Sequence, residues 1–292
     1  MSIMRGRRRR RNCGTSVLTL GFVVALITVL AEPAVAQRAT VDTLPRRDNP
    51  NQQLFRGRDV TLLAAAFVVS SEIAHFDTKI ARYTQTASVQ GDSARLTFVK
   101  RLTKANETTL TAGALLAYGV GRLTHQAAVT DVSSHVGEAL LITNVISQAI
   151  RGPFGRARPY VTKDGQNSDF HIGKGFTSYD YRSLPSLHSA SAFAAASALT
   201  AEINERHPRA AWPAGLVLYS AASIPGLTRM YLDQHWASDV VMGGFIGAFI
   251  GHKVVVHAHA NPRNRLDRLL LGTTVLPEGS GRYALSWNTA LP

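Results

Sequence analysis

The 292-residue sequence predicts an all-α fold: a helical bundle of about six core helices, followed by a tail that favours a small C-terminal β-hairpin. Six stretches between about residues 59 and 258 are long and apolar, and polar residues or prolines bound them. Hydrophobic residues make up 45% of the chain and charged residues 17%, which supplies enough apolar side chain for a buried core. Disorder is therefore expected only at the ends.

Residues 1–36 predict a secretory signal peptide. Arg5 and the arginine run 7–11 precede an apolar stretch at 17–30, and the sequence AVAQ at 34–37 provides a cleavage site after Ala36. An uncleaved anchor helix is the alternative, although the apolar stretch is short for a span that needs about 20 residues. The chain is therefore expected to be exported, to the periplasm or the extracellular space.

Charge and cysteine content restrict the partners of the exported chain. Removing residues 1–36 takes away six arginines and one glutamate, so the formal net charge falls from +13 to +8. A basic exported protein suits anionic partners such as phosphorylated small molecules, lipid headgroups or a membrane surface, and no segment favours nucleic acid. The single cysteine, Cys13, lies in the signal, so neither a disulfide framework nor a thiol nucleophile is expected.

The helical domain is expected over residues 59–260, after an extended leader at 37–58. Its helices are predicted at about 59–75, 105–123, 131–150, 186–205, 209–225 and 238–258, with starts at Asn106, Asp131, Ser186 and Ser238. The polar connection 77–104 favours one further short helix at about 92–102. The tail, 261–292, predicts either a hairpin around PEGSG or a disordered end.

The helices differ from typical membrane spans. Most of their uncharged runs are shorter than about 18 residues, and the longest, 210–228, contains Pro213 and Pro225. Several are rich in Ala, Gly, Ser and Thr rather than Leu and Ile. The pattern favours a soluble bundle outside the cytoplasm, and an integral membrane protein is the alternative.

The segment TRMYLDQHWASD, 228–239, carries the first of three candidate motifs. Asp239 follows His235 by four residues at the start of the last helix, so its carboxylate is expected to accept the Nδ1 proton. Nε2 would then be a free base or nucleophile. A purely structural His–Asp cap has the same spacing.

Two further motifs suit an anion. In RGPFGRARP, 151–159, the mutual repulsion of Arg151, Arg156 and Arg158 favours a bound anion, and a solvated basic loop is the alternative. LPSLHSA, 184–190, leads into a helix whose free N–H groups attract anions. A phosphate oxygen is expected to contact Ser186, the Leu187 amide and His188, and the alternative is an ordinary serine N-cap.

The three motifs, R-x6-R-P, P-S-x-H and R-x5-H-x3-D in this order, resemble the signature of the type 2 phosphatidic acid phosphatase superfamily. This superfamily also contains the bacterial class A acid phosphatases and the vanadium haloperoxidases. The resemblance covers about residues 150–240 as motif and 59–258 as helical pattern. It implies a bundle of the acid phosphatase/vanadium haloperoxidase type, with a site that binds one phosphate and needs no metal or cofactor.

The resemblance also implies a role for each matched residue. His235 would attack phosphorus and form a phosphohistidine, Asp239 would orient it, and His188 would protonate the leaving oxygen and then activate water. The phosphate-binding residues would be Arg151, Arg158, Arg229, Ser186 and Leu187. The implied enzyme is a phosphoric monoester hydrolase that acts on phosphate monoesters or lipid (pyro)phosphates.

Three positions depart from the family pattern: it usually has Lys at Arg151, Gly at Leu187 and Ser at Thr228. Leu187 in particular puts any transfer of substrate preference in question. Two other functions stay open on the sequence: a vanadate-dependent haloperoxidase, and a non-catalytic module that binds phosphate or lipid.

Two remaining features carry weaker expectations. The loop 160–184 predicts a lid over the pocket, against a simple connection as the alternative. His252, His257 and His259 lack the spacing of a helical metal pair, so no metal site is expected.

Overall fold

The described part of the chain contains ten α-helices and one β-hairpin. A computed structural model gives residues 54–162, 165–261, 273–277 and 283–287. The predicted signal peptide at 1–36 and most of the leader at 37–58 lie outside these residues.

The helices are, in chain order, α1 (Gly57–Ala74), α2 (Asp77–Thr84), α3 (Ala87–Gln90), α4 (Ser93–Leu102), α5 (Glu107–Leu123), α6 (Ala127–Phe154), α7 (Lys174–Thr177), α8 (Leu187–Arg206), α9 (Pro208–Tyr231) and α10 (Ala237–Ala260). The antiparallel strands β1 (Thr273–Pro277) and β2 (Tyr283–Trp287) pair in the register Thr273 opposite Trp287.

The predicted all-α bundle of six long helices is confirmed, and the tail forms the hairpin. Two helix boundaries and the number of short helices differ from the prediction. Helix α9 continues past Pro225 to Tyr231, because one missing N–H removes one helical hydrogen bond while Pro225 and Gly226 stay buried against the bundle. Helix α6 begins before Asp131, and the connection 77–104 holds three helices rather than one.

Small residues let α8 and α10 pack with their backbones in close contact. A Cβ atom on Gly247 would lie 2.0 Å from the carbonyl oxygen of Ala190, and one on Gly251 would lie 2.3 Å from that of Ala194. Helix α8 also packs against α5, α6 and α9, so it is the central helix of the bundle. The richness in Ala and Gly therefore sets how closely these helices approach each other.

Polar groups gather at the two ends of the bundle. One end, the site end, carries Ser186 at the start of α8 and Arg229 at the end of α9. At the opposite end, Lys253 on α10 pairs with Asp59 on α1 at 2.8 Å, and Arg206 pairs with Glu202 at 3.1 Å.

Between the two ends, the outer faces of five long helices expose large apolar side chains, which we call the apolar collar. Its members are Val60, Leu62, Leu63, Phe67, Val68 and Val69 on α1, Leu115 and Leu116 on α5, Leu141 and Val145 on α6, Leu216, Val217, Ile224 and Leu227 on α9, and Phe245 on α10. Among the described helices, α10 meets the length and hydropathy expected of a membrane span, and α1 with α2 meets them together as a bent pair.

Candidate active site

The chain brings the three predicted motifs to the site end of the bundle. Each lies at a helix terminus: Arg151 in the last turn of α6, Ser186 and His188 at the start of α8, Arg229 in the last turn of α9, and His235 and Asp239 at the start of α10. The free N–H groups of two helix N-termini therefore lie at this end.

His235 is held in one tautomer by the backbone. Its ring is buried, and Nδ1 lies 2.8 Å from the carbonyl oxygen of Ser183. A carbonyl oxygen only accepts hydrogen bonds, so Nδ1 carries the proton and Nε2 keeps a lone pair. Burial, and then the nearby Arg158 guanidinium, lower the pKa of His235 well below its usual value. The neutral imidazole is therefore set up as a base or nucleophile at Nε2.

The expected hydrogen bond from Nδ1 to Asp239 is not the one that the structure forms. The Oδ2 atom of Asp239 lies 3.8 Å from Nδ1 of His235. It accepts instead from the Trp236 N–H at 2.9 Å and from the Ser183 hydroxyl at 2.5 Å. The reason is its place in the first turn of α10, where a carboxylate accepts from the free backbone N–H of the N-cap residue. Asp239 thus positions residue 183, whose carbonyl holds His235.

Arg156 belongs to this supporting network rather than to an anion pocket. Its guanidinium donates to Oδ1 of Asp239 at 2.6 Å and to Oδ2 of Asp77 at 2.8 Å. Asp77 in turn accepts from the Ser238 N–H at 2.9 Å. The expectation that Arg156 faces an anion together with Arg151 and Arg158 is therefore not met. Asp77 could not be predicted, because nothing in the polar connection 77–104 marks one carboxylate among several.

Arg151 and Arg158 are held by carbonyl oxygens instead of carboxylates. Arg151 donates to the carbonyl of Arg182 at 3.1 and 2.7 Å. Arg158 donates to the carbonyls of Tyr179 at 3.0 Å and Gln234 at 2.9 Å, and its Nη1 lies 3.4 Å from Nε2 of His235. Both guanidiniums are buried, and in the described residues no carboxylate lies within 4.0 Å of either. Their charges therefore remain available to an anion.

Among the described residues, three buried polar atoms at this end have no hydrogen-bond partner: the donors Nε of Arg229 and the hydroxyl of Ser186, and the acceptor Oε2 of Glu107. Arg229 donates through Nη2 to the Tyr179 hydroxyl at 3.0 Å and to Oε1 of Gln234 at 3.1 Å. Its Nε–H has no acceptor among the described residues. Ser186 is the N-cap residue of α8, yet its side chain makes no capping hydrogen bond. Leu187, the first residue of α8, is buried beside it, and no helical carbonyl can satisfy its N–H. Unpaired donors of this kind indicate a place for an anion.

His188 lies in the field of the same arginines. Burial, and then Arg229, Arg151 and Arg158, lower the pKa of His188 to about 3. Its Nδ1 lies 3.5 Å from Oε2 of Glu107 at the start of α5, a carboxylate that the motifs do not include. Because Arg151 and Arg158 lower the pKa values of both His188 and His235, the two histidines share one cationic environment.

The loop 160–184 is tied to the arginine motif by backbone hydrogen bonds. Ala157 donates to Asp169, His171 donates to Gly155, and Ser183 donates to the carbonyl of Arg156. Gly155 has a φ of +55°, and a Cβ there would lie 1.8 Å from the carbonyl oxygen of His171. The loop therefore supplies carbonyls that hold the arginines and His235, a role that its residue types did not predict. Its action as a lid stays a prediction.

Comparison with known proteins gives three findings. Residues 134–263, which include all three motifs, match the model of the PAP2 superfamily. A 120-residue stretch is 31% identical to the lipid A 1-phosphatase of Porphyromonas gingivalis and covers 38% of this chain. That stretch spans 22% of the relative's length. A crystal structure of a transmembrane PAP2-type phosphatidylglycerolphosphate phosphatase from Bacillus subtilis is similar with a TM-score of 0.48 and 16% identity, covering 67% of this chain and 92% of that one.

The segment that matches the family model contains the residues of the candidate site. The matched segment begins in α6 and ends just after α10, so it contains Arg151, Ser186, His188, Arg229 and His235. Residues 134–263 of the chain are thus similar to the PAP2 superfamily, as the resemblance of its three motifs predicted.

Proposed function

We propose that the chain is a phosphatase that hydrolyses phosphate monoesters or lipid (pyro)phosphates through a phosphohistidine on His235, without a metal at the site. One observation supports this proposal above the others. The Nε2 lone pair of His235 lies at the same end of the bundle as three buried arginines and as unpaired donors on Ser186 and Arg229. Phosphoryl transfer requires in-line positioning and neutralised oxygens, and these groups can supply both.

In the first step, Nε2 of His235 attacks phosphorus as the bond from phosphorus to the leaving oxygen breaks. The phosphate oxygens are bound by Arg151, Arg158, Arg229, the Ser186 hydroxyl and the Leu187 N–H. His188 gives its proton to the leaving oxygen. The Ser183 carbonyl keeps the Nδ1–H of His235 in place as the ring becomes positively charged, and Asp239 positions residue 183 from behind.

In the second step, His188 takes a proton from water, which attacks phosphorus and releases inorganic phosphate from Nε2. The low pKa of His188 in the empty site follows first from burial and then from the three arginines. A phosphate dianion neutralises part of that charge, so substrate binding is expected to raise the pKa of His188 and to favour its acid form in the first step.

The reaction is tested by phosphate release from a generic aryl phosphate in EDTA. His235→Asn is expected to lower kcat by roughly 10³-fold or more. The control is His252→Ala, which changes an exposed histidine of α10 outside the site. A 32P-labelled intermediate, trapped by alkaline quenching, should form in wild type and be absent from His235→Asn. Near-wild-type turnover by His235→Asn, or a kcat of the folded fraction that needs added divalent metal, would contradict the mechanism.

Orthovanadate separates the phosphatase from the two other functions. We expect it to inhibit competitively as a phosphate mimic, because the same donors bind its oxygens. Peroxide-dependent halide oxidation by the vanadate-loaded chain would instead favour the haloperoxidase, and tight phosphate binding without hydrolysis at any pH would favour a binding module.

We also propose that the apolar collar lies in a lipid bilayer, so that the site end faces the membrane surface and a lipid headgroup. Single exposed apolar side chains are ordinary, but here exposed large apolar side chains recur on the outer faces of five helices. The long helices have 17–28 residues, or about 25–42 Å at 1.5 Å per residue, against a hydrocarbon core of about 30 Å. The alternative is a soluble dimer, but a single dimer interface would cover only one side of the apolar collar.

This proposal replaces the expectation of a soluble bundle. That expectation depended on the short uncharged runs, on the prolines of 210–228 and on the low share of Leu and Ile. The structure places small residues between α8 and α10, where membrane helices often carry them. The basic mature chain is still expected outside the cytoplasm, now as an integral membrane protein.

Fractionation without detergent tests the location. We expect the chain in the membrane fraction, resistant to high salt and carbonate and released by detergent. The purified chain should hydrolyse a lipid phosphate faster than an aryl phosphate, and lipid A phosphate is the first candidate because of the similarity to the Porphyromonas enzyme. Full recovery of the chain in the soluble fraction would contradict the bilayer proposal and would not bear on the proposed reaction at His235.

A further inference from the structure

A second buried cluster lies at the end of the bundle opposite the active site. Three helices contribute to it: Asp131 and His135 from α6, Glu202 from α8 and His259 from α10. One nitrogen or oxygen ligand atom from each lies within 4.8 Å of the others. His135 is 2% exposed and Glu202 is 1% exposed, so bulk water has little access to the centre of the group. We call these four residues the His–carboxylate cluster.

One carboxylate oxygen of Glu202 lies between the two imidazoles. Its Oε1 is 2.5 Å from Nδ1 of His135 and 3.0 Å from Nε2 of His259. On the other side of His135, Nε2 is 3.7 Å from Oδ1 of Asp131. Only one ring nitrogen of His135 can bind a given ion. Ligand atoms around a tetrahedral Zn²⁺ with bonds of about 2.1 Å lie about 3.4 Å apart. The 3.0 Å between Oε1 of Glu202 and Nε2 of His259 is close to that separation, and one ligand atom from each of the four residues lies within 4.8 Å of the others.

Arg206 binds the outer oxygens of both carboxylates. It donates to Oε2 of Glu202 at 3.2 Å and forms an ion pair with Oδ2 of Asp131. Oε1 of Glu202 and Oδ1 of Asp131 remain on the imidazole side. Ligating carboxylates in metal sites are commonly oriented in this way by outer partners.

The charges also favour a cation. Two carboxylates and one guanidinium leave a formal charge of −1 when both imidazoles are neutral, and a buried net charge is costly. Two nitrogen and two oxygen ligands suit Zn²⁺ and related transition metals better than Mg²⁺ or Ca²⁺, which prefer oxygen alone.

We propose that the His–carboxylate cluster binds one Zn²⁺ ion, through Asp131, His135, Glu202 and His259, and so clamps α6, α8 and α10 together. The site is structural, because it lies at the far end of the bundle from His235. It takes no part in phosphoryl transfer, so the chelated chain should lose thermal stability while the folded fraction keeps its kcat.

The test uses the full chain purified in detergent without a polyhistidine tag, stripped with a chelator and dialysed. We expect one equivalent of Zn²⁺ to rebind and to raise Tm by about 5–10 °C when free Zn²⁺ is 100-fold above its Kd. Co²⁺ in place of Zn²⁺ should give the visible d–d absorption of a tetrahedral site. A stripped wild type that gains neither metal nor Tm would show that the imidazoles and Glu202 merely share a proton, and would overturn the proposal.

Variants localise the ion. His259→Ala and Asp131→Asn should each lower Zn²⁺ affinity by at least about 10-fold and weaken the Co²⁺ band. His252→Ala, on the same helix and exposed, is the matched control and should bind as wild type does. Unchanged Zn²⁺ binding in both cluster variants would place the metal elsewhere and defeat the assignment, whatever the phosphatase assay shows.

Discussion

The two ends of the bundle both bury charged side chains, but with opposite imbalance. At the site end, Arg151 and Arg158 are held by carbonyl oxygens, and no described carboxylate lies within 4.0 Å of them. At the opposite end, two carboxylates share Arg206. Uncompensated guanidiniums leave room for an anion, and uncompensated carboxylates leave room for a cation. The sign of the leftover charge thus indicates the type of ligand at each end.

The largest expected effect comes from removing one arginine from each end. Arg158→Ala should lower kcat/KM by roughly 10³-fold, because it removes a phosphate donor that also contacts Nε2 of His235. Arg206→Ala should lower Tm and leave kcat/KM within about threefold of wild type. Steady-state kinetics and thermal melts on the same preparations check both, and equal kinetic losses would mean that the ends do not act separately.

Two glycines of α10, one near each end, allow matched alanine substitutions that test the packing of the two ends separately. A Cβ on Gly243 would lie 2.4 Å from the carbonyl oxygen of Ser186, and one on Gly251 would lie 2.3 Å from that of Ala194. Both alanine substitutions should lower the free energy of unfolding by about 1–3 kcal/mol through overpacking. Gly243→Ala should in addition reduce kcat more than Zn²⁺ affinity, and Gly251→Ala should do the reverse. Denaturation, steady-state kinetics and Zn²⁺ titration of both variants check these effects. Equal losses of kcat in the two variants would contradict the prediction.

The pH dependence of stability should report on the site end. The pKa of His188 is lower in the folded chain, about 3, than its usual value of 6.5. The unfolded chain therefore binds more protons between these values, so the free energy of unfolding falls as pH falls through that window. This one group contributes at most about 1.4 kcal/mol per pH unit. His188→Asn should flatten the curve from acid melts, and saturating phosphate should shift it; an unchanged slope in His188→Asn would argue against the buried, cationic setting.

The smallest effect is expected at Thr228, where the family usually has Ser. The Thr228 hydroxyl donates to the carbonyl of Pro225 at 2.7 Å, within its own helix. Thr228→Ser keeps that hydrogen bond, so kcat/KM should change by less than about threefold. A larger change in the phosphatase assay would mean that the methyl group shapes the pocket.

The sequence predicted the site end much better than the opposite end. The six long helices and the motifs around Arg151, His188 and His235 could be predicted because each signal lies in a short stretch with its own spacing. The His–carboxylate cluster could not, because Glu202 and His259 reach His135 from other helices, and searching for helical pairs among His252, His257 and His259 misses such contacts. The carbonyl of Ser183 was missed for a related reason: a backbone acceptor has no residue type to recognise.

That carbonyl has a consequence for mutational surveys. Because the peptide group of residue 183 fixes the proton on Nδ1 of His235, no side-chain exchange at position 183 deletes it. Alanine scanning there would report only the loss of the hydroxyl that reaches Asp239. Only a change in the path of the main chain, or an ester in place of the amide that joins residues 183 and 184, would weaken this acceptor and show how far the protonation of His235 depends on the backbone.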